Sequence, residues 1–143
     1  YVIEHCTEGF KIKDVLNEKH VKCVVGPHLT SPSKLEIHNR TMDNPGILSK
    51  EENITLCLTA DTGSQTSVLP MTIGFFIRRG LSFEDAIKGV TINAAKVLQL
   101  DDRIGSLEAG KDADIAVFDG NPFDSMSLCR LVMIDGEIYK NTL

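Results

Sequence analysis

Ile54-Thr55-Leu56-Cys57-Leu58-Thr59-Ala60-Asp61 is the stretch on which the fold turns. Its unbroken Leu56-Cys57-Leu58 run reads as a strand buried on both faces, and Asp61 falls where that strand ends. The same construction stands twice upstream: residues 21–26, stopped by Gly26-Pro27, and the short β-branched run of residues 1–5, which ends at His5. Helical patterns lie between. Residues 9–19 place Phe10, Ile12, Val15 and Leu16 on one face, and Asn44-Pro45 reads as an N-cap followed by proline at the first position of a helix over 45–50. After a polar loop at 62–68 comes an apolar helix, 69–79, with Gly80 as its stop. Strands alternating with helices call for a parallel sheet with helices packed on it, an α/β fold. The spacing from His5 to Asp61, two units of about 28 residues, is close to the roughly 31 per unit of a β/α barrel. An open doubly wound sheet fits the same spacing.

Beyond residue 80 the character changes. Ser82 with Asp85 three residues on reads as a capped helix start, and residues 91–98 as a second short helix capped by Thr91. From residue 101 helical periodicity is lost. Gly105, Gly110 and Gly120 punctuate β-prone pieces at 115–118 and 131–134, and Asp135-Gly136 is a two-residue hairpin signal. Residues 1–80 carry nine basic and nine acidic side chains, residues 81–143 six and eleven, so the net charge of −5 lies in the second part.

Composition bounds the function. With 143 residues, 42% hydrophobic and 24% charged, the chain should fold. No dense basic block is present, which argues against a nucleic-acid surface. The nearly uncharged stretch 55–77 is broken by Asp61, Gly63, Ser64, Gln65 and Pro70 and fails as a membrane span. Nothing reads as a signal peptide. Four scattered cysteines without a C-x-x-C pair fit a reducing, cytoplasmic setting. Tyr1 already lies within a strand pattern, so the numbering is expected to begin inside a longer polypeptide.

His5 and Asp61 end the first and third strands. In parallel α/β folds ligands and catalytic groups gather at that edge, and an imidazole with a carboxylate suits zinc, manganese or iron(II). Asp61 could serve both as ligand and as general base. The ordinary readings are a hydrogen-bonded strand-end histidine and a turn-forming aspartate in Asp61-Thr62-Gly63-Ser64. His28, after Gly26-Pro27, is expected near the mouth of a site, and Lys34 and Arg40 could pair with a substrate carboxylate. Glu4 alternates with His5 onto the other face, which leaves Glu8 to orient His5. His20 and His38 read as surface residues.

The tail Gly105-Ser106-Leu107-Glu108-Ala109-Gly110-Lys111-Asp112-Ala113-Asp114-Ile115-Ala116-Val117-Phe118-Asp119, preceded by Thr91-Ile92-Asn93-Ala94-Ala95-Lys96-Val97-Leu98, strongly resembles the C-terminal signature of the metal-dependent amidohydrolase superfamily. The imidazolonepropionase-like branch is most similar. His5-Cys6-Thr7-Glu8-Gly9 resembles its sixth barrel strand, Val24-Val25-Gly26-Pro27 its seventh and Leu58-Thr59-Ala60-Asp61 its eighth.

The resemblance implies the C-terminal part of a TIM-like (β/α)8 barrel over residues 1–100, about strands 6–8, followed at 101–143 by part of a small β-sandwich. It implies His5 as the sixth-strand metal ligand and Asp61 as the eighth-strand ligand that activates water. The cofactor would be a divalent metal, zinc with iron or manganese as alternatives. The first-strand His-x-His, the fourth-strand ligand and the fifth-strand histidine have no counterparts here. Thr62-Gly63 replaces the His-Pro that related sequences often carry.

The expected activity is hydrolysis of a C–N bond in a small molecule, such as a cyclic amide, by a metal-activated water. The chain would act with the remaining N-terminal part of the same enzyme, in a homo-oligomer, without nucleic acid or membrane, and would be inactive alone. A dipeptidase on the same scaffold and a non-catalytic amidohydrolase-like scaffold protein are the rival readings.

Overall fold

The computed structural model describes residues 1–30, 35–61 and 63–143, with the side chains of Glu36 and Ser64 left aside. Two three-stranded sheets organise it. The first is parallel, in the order β1 (Val2–Ile3), β2 (Lys22–Val25), β3 (Thr55–Leu58). Ile3, Cys23 and Leu56 lie in one row, and Val25 with Leu58 in the next row of the same face. All five pack with Leu16, Leu48, Ile73, Phe76 and Leu81 in one core, as the two-residue period of a strand requires. Val24 and Cys57 point to the opposite face and are buried too. The two-sided burial expected of this sheet is therefore present in β2 and β3.

Helices α1 (Lys13–Glu18), α2 (Asn44–Leu48), α4 (Leu69–Arg78) and α5 (Phe83–Val90) follow the strands in turn, and α6 (Ile92–Leu98) closes the helical part. Several boundaries differ from the sequence reading. The strand expected over 1–5 spans only Val2–Ile3, because His5 adopts φ +56 and turns the chain out of the sheet. The helix expected over 9–19 divides into a 3-10 turn, Gly9–Ile12, and α1. The loop expected at 62–68 contains α3 (Gly63–Thr66).

Asn44 does not cap α2. It is the first helical residue, and its fully buried side chain accepts from Phe10 N–H and donates to the Cys6 carbonyl, both at 2.8 Å. Thr91 likewise fails as a side-chain cap for α6, since its hydroxyl donates back to the Ile87 carbonyl at 2.7 Å. Ser82 does cap α5, accepting from Asp85 N–H at 3.0 Å.

Asn93 on α6 donates its amide to the Leu56 carbonyl of β3 at 2.8 Å. The second sheet is antiparallel, β4 (Ile115–Phe118), β5 (Cys129–Ile134) and β6 (Glu137–Asn141), with β5 and β6 joined through Asp135-Gly136 as the hairpin signal predicts. Both turn residues have positive φ, +48 and +81, the conformation such a tight turn needs. Among the described residues no helix is long and apolar enough to cross a membrane.

Candidate functional site

β1 and β3 flank β2, so the ends of the two outer strands are separated by two strand spacings, about 10 Å. His5 and Asp61 nevertheless meet. His5 Nε2 lies 2.9 Å from Asp61 Oδ1, with the side chains 55% and 40% exposed, so the pair faces outward from the edge. Two features of the local chain bring them together. Both residues sit in the left-handed region, φ +56 and +65, which redirects each side chain just past its strand. Asp61 N–H also donates to Thr59 Oγ1 at 3.0 Å, which fixes that turn. Between them β2 ends in Gly26, where a Cβ would come within 2.0 Å of the Thr59 carbonyl oxygen. Only glycine leaves β2 and β3 that close at this edge.

The remaining sequence candidates lie elsewhere. Glu8 does not orient His5: its carboxylate accepts from Lys11 Nζ and, at 2.8 Å, from Asn39 N–H. The Lys11 ammonium and then the Asn39 backbone hold its carboxyl below the usual range. Glu8 thus ties the turn after β1 to the loop after β2. Lys34 lies outside the described residues. Arg40 donates to Thr30 Oγ1 at 2.6 Å. His20 and His38 are exposed, as expected.

His28 is not at an open mouth. It is 5% exposed and meets the Phe76 ring of α4 edge-on, with centroids 4.8 Å apart, and neither ring nitrogen has a hydrogen-bond partner. Burial, then the Arg40 cation, pushes its pKa down to about 4, against the Thr41 backbone, which acts in the opposite direction. An unfolded histidine titrates near 6.5, so the unfolded chain binds its proton first as pH falls. The stability His28 contributes is complete above pH 6.5 and is lost progressively toward about pH 4. Urea unfolding across that window should show His28→Leu flattening the acid limb; an unchanged slope would assign that limb to other groups.

The donor chemistry fits a divalent cation in part. An imidazole nitrogen and a carboxylate oxygen converge at one exposed point, but among the described residues no group of three or more His, Cys, Asp or Glu side chains is placed to hold a metal. A catalytic zinc takes three protein ligands. Among the described residues His5 and Asp61 are two groups of the right kind. The sequence reading missed Asn44 and Thr59, which hold the turns carrying His5 and Asp61. Asn44 precedes a proline and so carries the signature of a cap, and Thr59 carries no signal beyond its place two residues before Asp61.

The amidohydrolase family model matches residues 17–140, and the chain belongs to that family. Among curated relatives, imidazolonepropionase from Picrophilus torridus is 33% identical over 89 residues, 59% of this chain and 23% of the relative. The Shewanella baltica enzyme of that name is 32% identical over 93 residues, 62% and 22%. These matches support the imidazolonepropionase-like branch.

A solved amidohydrolase from Thermotoga maritima MSB8 superposes with TM-score 0.90 at 42% identity, over 98% of this chain and 37% of that one. A Xaa-Pro dipeptidase with bound methionine, at 23% identity and TM-score 0.76, shares the fold over 98% of this chain and 40% of its own. The chain thus spans about a quarter of the length of these curated relatives and about two fifths of these solved chains.

Proposed function

We propose that the chain supplies strands six to eight of a TIM-like barrel in a metal-dependent hydrolase of C–N bonds, with residues 1–100 in the barrel and 101–143 in a small β-sandwich. The 2.9 Å approach of His5 Nε2 to Asp61 Oδ1 at the carboxyl edge of a parallel sheet carries this reading. In it, His5 Nε2 and an Asp61 oxygen are two of the ligands, and the N-terminal part of the same enzyme brings the others. A divalent cation held there, zinc by donor chemistry with iron or manganese as alternatives, supplies Lewis acidity and brings the pKa of water toward about 7.

Asp61 is the base. Its exposed carboxylate accepts the proton of the attacking water and returns it to the leaving nitrogen, so that one group serves both halves of the hydrolysis. Thr59, through Asp61 N–H, holds that carboxylate in place. The substrate is a small molecule with a cyclic amide or related C–N bond, by analogy with the imidazolonepropionases. Its setting is the cytoplasm, in keeping with cysteines that are all free thiols, and the working form is an oligomer of the whole enzyme.

Metal analysis tests the reading. The intact protein, purified without chelator, should carry at least one equivalent of zinc, iron or manganese, and His5→Ala should lower that content. Less than one equivalent in the wild type would overturn it in favour of a non-catalytic scaffold.

A further inference from the structure

Gly63 opens α3 two residues after Asp61, and of the eleven glycines it alone is required neither by backbone conformation nor by packing. Each of the other ten either takes a positive φ or would set a Cβ within 3.0 Å of a neighbouring atom. Gly63 does neither. Among the described residues, nothing beyond its own helix and chain neighbours lies within 4 Å of where its Cβ would stand. A helix ordinarily loses stability when glycine stands in place of alanine. Here the residue is exposed and a side chain would displace nothing, so the open space itself is what the glycine keeps.

That space adjoins the site. Two residues of chain span at most about 7 Å, so Gly63 stays within a side chain's length of Asp61. The chain beyond it turns toward the loop after β2, because Gln65 Nε2 donates to the Leu29 carbonyl at 3.4 Å. Gly63 therefore lies in the short segment between the Asp61 carboxylate and a contact that joins two loops of the carboxyl edge.

We propose that Gly63 is a specificity-determining residue, whose missing side chain leaves room beside Asp61 for a substituent on the ring carbon next to the scissile nitrogen. This rests on the hydrolase reading, in which Asp61 returns a proton to the leaving nitrogen and so stands beside that end of the substrate. The substrate class is thereby narrowed to cyclic amides branched next to the nitrogen. A methyl group at position 63 narrows the room and an isopropyl group fills it. The bonds from Asp61 N–H to Thr59 Oγ1 and between Asp61 and His5 do not involve residue 63.

The experiment measures kcat/KM of the intact protein on five-membered lactams and imidazolones, each as the bare ring and with an isopropyl group on the ring carbon beside the nitrogen. Wild type, Gly63→Ala and Gly63→Val are compared, with metal content and urea midpoint determined for each. The ratio of branched to bare kcat/KM should fall by about tenfold or more in Gly63→Val, and by less in Gly63→Ala. Gly63→Ala should keep its metal and unfold at the same urea concentration or a higher one. An unchanged ratio in an active wild type and its variants overturns this inference and leaves the hydrolase reading standing. So does a drop in urea midpoint or metal content in Gly63→Ala, which would make the glycine a requirement of the fold. Absence of turnover on every ring by a metal-loaded wild type overturns the hydrolase reading, and this inference with it.

Discussion

Asp61→Asn in the intact protein is expected to lower kcat/KM by about a thousandfold, within the range for loss of a positioned general base. The backbone N–H still reaches Thr59 Oγ1, and asparagine tolerates φ +65 better than most residues. What disappears is the capacity to take a proton. Stability should hardly move, since Asp61 is exposed and its neighbours keep their partners. The assay compares kcat/KM of the two proteins on a cyclic amide that the wild type turns over, with metal content measured alongside. Near-wild-type turnover would remove Asp61 from the chemistry; lost metal with lost turnover would show that it acts chiefly as a ligand.

Asn44→Ala should cost about 3 kcal/mol of stability, because it strands two main-chain groups at once. The Asn44 side chain is fully buried and spans from the Phe10 N–H to the Cys6 carbonyl, fastening α2 to the turn that follows β1. Alanine would leave a donor and an acceptor without partners where water has little access. Urea unfolding of the two proteins measures this directly. A loss under about 1 kcal/mol would mean that the turn finds other partners. Because that turn also carries His5, the variant should weaken metal retention before it unfolds.

How much of this was legible in the sequence depended on how local the cause was. Strands β2 and β3, the cap at Ser82 and the Asp135-Gly136 hairpin follow from nearest-neighbour chemistry, and the structure keeps them. So does the placement of His5 and Asp61 at one sheet edge, which needs only the strand period and parallel topology. Their 2.9 Å approach was out of reach, since it depends on two left-handed residues and on a glycine of the intervening strand.

The errors share a cause. Asn44, Thr91, Glu8 and His28 were each read by the commonest role of their residue type beside their sequence neighbours. Tertiary partners at long separation overrode that for three of them: Phe10 and Cys6 for Asn44, Asn39 for Glu8, Phe76 for His28. Thr91 differs, for its hydroxyl turned back one helical turn.

Asn93 has a consequence for how β3 can be extended. β3 is an edge strand among the described residues, and on its outer side the Leu56 carbonyl is already taken by the Asn93 amide. A strand arriving there cannot slide freely along β3, because the position at Leu56 is blocked and Leu58 is the next residue facing the same way. Since a slip of one residue turns every side chain to the wrong face, an asparagine on a helix would act as a stop on the alignment of any strand added at that edge.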